Sequence, residues 1–161
     1  ALASVLKAYE ALASKLSGKP QFEDLARRCQ VGKASCLILL GRAAEAKTLL
    51  ENLLKDAKDK RTLAAIYNKL GTATWRADTR NKDAQREALK HYQRVVTLYG
   101  DAAGAEDDCA EAMFHSGELF RELKDQGPDW AARARREWTE VVDQFPGSVW
   151  AQKSKEALAG R

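Results

Sequence analysis

The chain repeats itself. Gly71, Asp83, Ala88, Tyr92, Val95, Val96 and Tyr99 recur 46 positions later as Gly117, Asp129, Ala134, Trp138, Val141, Val142 and Phe145. A period of this size marks a stack of supersecondary units, each hiding its apolar seam against the next. The residue types have a physical reading. Glycine lets the first helix of a hairpin approach its partner, alanine does the same from the second helix, and the ring with the valine pair fills the remaining gap. What recurs is a helical hairpin.

No segment reads as a strand, and apolar residues return at helical spacing along the whole length. Residues Ala1 to Ser17 carry a stripe of Leu2, Val5, Leu6, Tyr9, Leu12 and Leu16 that stops at Gly18 and Pro20. Further helices are expected over Gln21 to Leu40, Ala43 to Asp56, Arg61 to Arg76 and Asp83 to Tyr99, with Asp83 as the cap of the last of these. A long helix from about Ala103 to Leu123 follows, then a turn over Lys124 to Pro128, and a helix from Asp129 to Phe145. Pro146 and Gly147 break the chain, and Ser148 caps a last helix that ends at Leu158. The expected architecture is all-α, with about eight helices.

Composition agrees. In 161 residues, 45% are apolar, 31% are charged and only 3 are proline, which suits one helical domain able to bury its own core. The net charge of +4 is a mild excess spread along the chain, weak ground for nucleic-acid binding. Cys29, Cys36 and Cys109 cannot all pair within one chain and form no C-x-x-C spacing, so neither a disulfide framework nor a zinc site is expected. Cys29 and Cys36 lie two turns apart on one helix face and read as small core hydrophobes. No apolar run approaches the roughly 20 residues of a membrane span, and no secretory signal is present. The chain opens on alanine, which reads as an excised fragment or a processed chain.

Met113, Gly117, Phe120, Ala134, Trp138, Val141 and Pro146 follow one another in the order large, Gly, large, Ala, aromatic, Val and helix breaker. That order resembles the tetratricopeptide repeat. A second copy offers Tyr67, Leu70, Gly71, Ala88, Tyr92, Val95 and Gly100, and both copies are about five residues longer than the usual repeat in the turn between their helices. A weaker copy passes through Ala34, Leu37, Gly41, Ala46, Leu50 and Leu53 without the close-packing glycine. The resemblance implies a right-handed α-α superhelix in one domain over 1–161. Residues 1–17 would be a partial repeat, 21–58 the weak repeat, 61–100 and 103–146 the clear repeats, and 148–159 a capping helix. The stretch from Ala134 to Leu158, ARREWTEVVDQFPGSVWAQKSKEAL, is similar to the terminal repeat of bacterial cell-envelope proteins of this family, the Tol-Pal coordinator and outer-membrane assembly lipoprotein kinds. It leans the location towards a bacterial periplasm or envelope, whereas three unpaired thiols fit a cytoplasm.

In this family the first helix of each hairpin lines a concave side that holds a partner peptide or helix. Carried over by register, Arg28, Asn68, Lys69, Thr72, Trp75, Arg76, Glu111, His115, Glu118 and Lys153 lie on that side. Gly71, Ala88, Tyr92, Gly117, Ala134, Trp138 and Pro146 are the packing positions. Mixed polar groups suit peptide backbone and carboxylates, and they equally suit the solvated face of an amphipathic helix. Asn68, Lys69 and Arg76 are similar to part of the carboxylate clamp of chaperone-binding members, but Glu111 and Glu118 stand where further bases would be needed. Trp138 takes the core ring position and Trp150 seals the final hairpin, leaving Trp75 and Trp130 as candidate exposed anchors.

Chemistry has little to work with. His91 and His115 stand alone, and there is no nucleophile, base and acid arrangement, no glycine-rich phosphate loop and no H-E-x-x-H pair. The expectation is a non-catalytic scaffold with a protein or peptide partner, no cofactor, no metal and no small-molecule substrate. Two rivals remain: a structural spacer or self-associating segment of a larger repeat protein, and nucleic-acid binding through Arg76, Arg80, Lys82 and Arg86 around the inserted loop.

Overall fold

Glycine, proline and a few side-chain caps decide where the helices stop. The computed structural model describes residues 1–160 and is all-α. Its helices are α1 (Leu2–Leu16), α2 (Glu23–Leu39), α3 (Ala43–Leu54), α4 (Lys60–Ala77), α5 (Lys82–Tyr99), α6 (Glu106–Glu122), α7 (Trp130–Gln144) and α8 (Val149–Leu158). Single 3-10 turns at Pro20–Phe22 and Lys124–Gln126 complete the regular structure among the described residues.

The end of α2 shows how sequence sets a boundary. Gly41 takes a left-handed backbone, φ +77, and the N–H groups of Gly41 and Arg42 turn back to the carbonyls of Ile38 and Leu37 at 3.0 and 2.8 Å. That closure satisfies two carbonyls the helix would otherwise leave open. Asp59 caps α4 by accepting from Thr62 N–H, and Ser148 caps α8 by accepting from Ala151 N–H, as its sequence position implies.

Several helix starts differ from the sequence expectation, three of them for a reason visible in the structure. Asn81, not Asp83, caps α5: its side chain accepts from the N–H groups of Asp83 and Ala84, so the helix begins one residue earlier and Asp83 instead meets Arg86 within the first turn. The helix expected from Ala103 begins at Glu106, because Gly104 adopts φ +80 and holds residues 101–105 in a turn. The segment from Gln21 opens as a 3-10 turn on Pro20 before α2 proper starts at Glu23.

Each helix packs on the next in the chain, and α2, α4, α6 and α8 also touch one another in succession. The 46-residue repetition carries through to three dimensions. A Cβ on Gly71 would lie under 3.0 Å from the ring of Tyr92, and one on Gly117 equally close to the indole of Trp138. Both rings are buried, and so are the paired residues Ala88 and Ala134, Val95 and Val141. The rings are then fixed differently: Tyr92 Oη and Thr72 Oγ1 share a hydrogen bond of 2.9 Å, whereas the Trp138 indole N–H donates to the Phe114 carbonyl.

The amino-terminal end departs from the expected copy. Its close-packing glycine exists, at Gly32 of α2, but faces Tyr9 of the preceding helix, so ring and glycine occur in reverse order. Between α2 and α3 the gap is filled by alkyl groups, with Ala34, Ala46 and Leu50 fully buried. Pro146 is exposed in the turn after α7; it ends that helix and does not pack between repeats.

Candidate functional site

The run of contacts α2, α4, α6, α8 makes one continuous face from helices distant in sequence. At its middle, α4 and α6 meet through polar groups. Lys69 Nζ donates to both oxygens of Glu111 at 2.7 and 2.6 Å, and the Asn68 amide donates to Glu111 and to Asp108, both at 2.9 Å. Burial pushes the Asp108 carboxyl above its ordinary range, against the opposing pull of Asn68 and Lys69. Removing either partner of so enclosed an ion pair would strand a charge, which fixes how α4 lies against α6.

Next to this pair stands His115, on the same face of α6 one turn past Glu111. Its Nδ1 is 2.7 Å from Glu118 Oε2 and its Nε2 is 3.9 Å from Glu111. Rings from three other helices surround it: Tyr92 of α5 stacks on the imidazole at 5.4 Å, and Trp75 of α4 and Trp150 of α8 meet it edge-on at 6.0 and 5.3 Å. Phe114 adds a fourth ring from α6 itself. Cations flank the row, with the Arg76 guanidinium 6.0 Å from the Trp75 ring and Lys153 Nζ 4.3 Å from that of Trp150. A hollow of about 150 Å³ opens beside the row, lined by Ser35, Ile38, Leu39, Lys69, Thr72 and Glu111.

The ten residues expected on a binding side separate by burial. Arg76 and Lys153 are exposed; Arg28, Lys69, Thr72, Trp75, His115 and Glu118 are half-buried. Asn68 and Glu111 are buried, with the Asn68 amide N–H groups and the Glu111 carboxylate bonded within the protein, so both are corrected to residues that join α4 to α6; the Asn68 Oδ1 is left without a hydrogen-bond partner. Two further expectations change. Trp75 and Trp130 are both half-buried rather than exposed, with Trp130 packed edge-on against Phe120. Of the basic cluster, Arg76, Arg80 and Lys82 are exposed, but Arg86 is engaged with Asp83 and Gln126.

Sequence reading missed Asp108 and gave Trp150 only its sealing role. The signal for the first was available: Asp108, Glu111, His115 and Glu118 are spaced three, four and three apart, one stripe of a helix. The second depends on which ring α8 brings to α6, which spacing within one helix does not report.

Elsewhere on α5 and α7, Gln93 Nε2 donates to Ser116 Oγ and to Glu137, and burial raises the Glu137 carboxyl. Among the described residues no group of three or more His, Cys, Asp or Glu side chains is placed to hold a metal ion, and no helix is long and apolar enough to cross a membrane. No protein-family model, curated protein or solved structure matches the chain.

Proposed function

We propose that this chain is a right-handed α-α superhelix of the tetratricopeptide-repeat kind and serves as a non-catalytic scaffold. Its even-numbered helices line the concave side and hold a peptide or helix of a partner protein. The observation that carries the reading is the aromatic row of Trp75, His115 and Trp150. Three different even-numbered helices each bring one partly exposed ring into contact, with Trp75 and Trp150 both meeting His115, and such rings are what peptide-binding surfaces use as anchors. Beneath the row the Asn68 amide N–H groups, Lys69, Asp108 and Glu111 are already bonded to one another, which supports a rigid platform in place of a reactive centre.

A peptide array probed with the labelled chain tests this. Bound sequences should lose signal at least tenfold when Trp75→Ala and Lys153→Ala are combined, while the far-ultraviolet circular dichroism stays that of the parent. Unchanged binding with an intact fold would remove the groove assignment.

The second reading is a structural segment that stacks on another copy or a neighbouring repeat. Its support is the outer face of α1, where Val5 is 45% and Leu12 44% exposed, with half-open Phe22 and Leu25 nearby. Sedimentation equilibrium separates the two: a dimer that Val5→Glu with Leu12→Lys disperses favours the stack.

A further inference from the structure

We infer that Asn68 of α4 and Asp108 of α6 form a proton-operated clasp. In its closed form the Asp108 carboxyl carries a proton and donates an O–H to the Asn68 carbonyl oxygen, while the Asn68 amide donates an N–H back. Half of this reciprocal pair stands in the structure, since Asn68 Nδ2 lies 2.9 Å from Asp108 Oδ1. The other half is called for by an acceptor with nothing to accept: Asn68 is fully buried, and its Oδ1 has no hydrogen-bond partner. Buried polar atoms in folded proteins are almost always bonded, because an acceptor buried alone forfeits its bond to water. An ionised carboxylate can only accept, whereas a protonated one supplies the missing donor. The two atoms still to meet, Asn68 Oδ1 and Asp108 Oδ2, each share a carbon with an atom already bonded, and the terminal torsions of both side chains are soft.

Asn68 donates to Glu111 as well, but the two carboxyls are not alike. Lys69 Nζ sits on both Glu111 oxygens at 2.7 and 2.6 Å, so that carboxylate has a cation in direct contact. Asp108 has none: the group bonded to it is the neutral Asn68 amide. The charged groups acting on Asp108 are Lys69 from α4, which favours the carboxylate, and Glu111 and Asp107 from α6, which oppose it. Arg61, the cation in the first turn of α4, lies over Gly104 and acts on Glu106 instead. The first turn of α6 favours negative charge, but Glu106 and Asp107 already bring carboxylates there. Burial is the largest influence, and it pushes the Asp108 carboxyl up. The folded chain therefore holds this proton more tightly than the unfolded chain. The clasp contributes fully below the unfolded value; as pH rises through the folded value, the proton leaves for solvent and the contribution is lost. Asn68 also holds Glu111, which with Lys69 lines the hollow on the even-numbered face, so the proton sets how firmly α4 and α6 are joined there.

The test follows two side-chain carbons of the whole chain by carbon-13 magnetic resonance, the Asp108 carboxyl and the Asn68 carbonyl. The titration runs from about pH 3 to about pH 8, which brackets the ordinary aspartate value near 4. Both signals should move with one shared midpoint above that value. A midpoint at or below it overturns the clasp, and so does an Asn68 signal that stays still while Asp108 titrates, since the proton would then be bonded to nothing on α4. Two variants read the joint itself. Asp108→Asn keeps an acceptor for the Asn68 amide and presents a donor at every pH. At neutral pH its amide-exchange protection factors across α4 and α6 should exceed the parent's by at least about threefold, with the gap closing as pH falls. Asp108→Leu removes the same charge without supplying a donor, and its protection should fall below the parent's. Equal gains in the two variants would show that Asp108 is merely a desolvated charge, and a loss in Asp108→Asn at every pH would show that no donor is wanted there; either result overturns the clasp.

Discussion

Gly71 and Gly117 owe their place to what lies over them. Each faces a buried ring with no room for a Cβ, and neither ring can swing aside easily, because Tyr92 is tied to Thr72 and Trp138 to the Phe114 carbonyl. Alanine would gain about 1 kcal/mol in helix propensity, but forcing apart a packed contact costs about 1–3 kcal/mol. Gly71→Ala should therefore destabilise by up to about 2 kcal/mol net in urea unfolding, and the loss should shrink in a Gly71→Ala, Tyr92→Leu double variant, whose side chain leaves the space open. A gain in stability for the single variant would show that the ring yields. The cysteines are decided by burial in the same way. All three are buried and free, and the Cys109 thiol is pushed up to about 11, so unpaired thiols here are core residues and do not testify to a reducing compartment.

Between elements, recurring residues were far easier to read than cross-helix polar contacts. Glycine, alanine and ring positions were legible because close packing leaves few alternatives, and the caps at Ser148 and Gly41 because backbone geometry does the same. Asn68 was misassigned for a reason of the opposite kind: at its register position an amide is equally at home in water or against two carboxylates, and only the approach of α6 decides. The tie between Gln93, Ser116 and Glu137 was illegible on the same ground, since it joins three helices. It also carries a pH signature. Burial raises the Glu137 carboxyl, Glu140 adds to the rise, and Gln93, Arg136 and Arg133 oppose it. The folded chain thus holds this proton more tightly than the unfolded chain, and its contribution to stability falls as pH rises through the window between the two values. Glu137→Gln keeps an acceptor for Gln93 but cannot ionise. Its stability relative to the parent should improve between about pH 4 and pH 7, as read by chemical denaturation at both values. A relative stability that is flat or worsens with pH would place the Glu137 proton in free solvent.

Over the whole molecule, nearest-neighbour packing governs how a local fault spreads. Two apolar clusters meet at α4, one built from α2, α3 and α4 around Leu50, Ile66 and Leu70, the other from α4 to α7 around Tyr92, Leu119 and Trp138. α1 sits at the margin of this arrangement: Ala13 is its one buried residue, and Leu6 only leans on the first cluster. Contacts of this kind make stability close to a sum of unit and interface terms, so the ends can open without the middle. Hydrogen exchange should accordingly be fastest in α1 and slowest in α4 and α6. Gly117→Ala, which strains α6 against α7, should speed exchange in α6, α7 and α8 while α2 and α3 keep their parent rates. If every helix accelerates together, the chain unfolds as one cooperative body, and the helices are bound into a common core more tightly than their successive contacts imply.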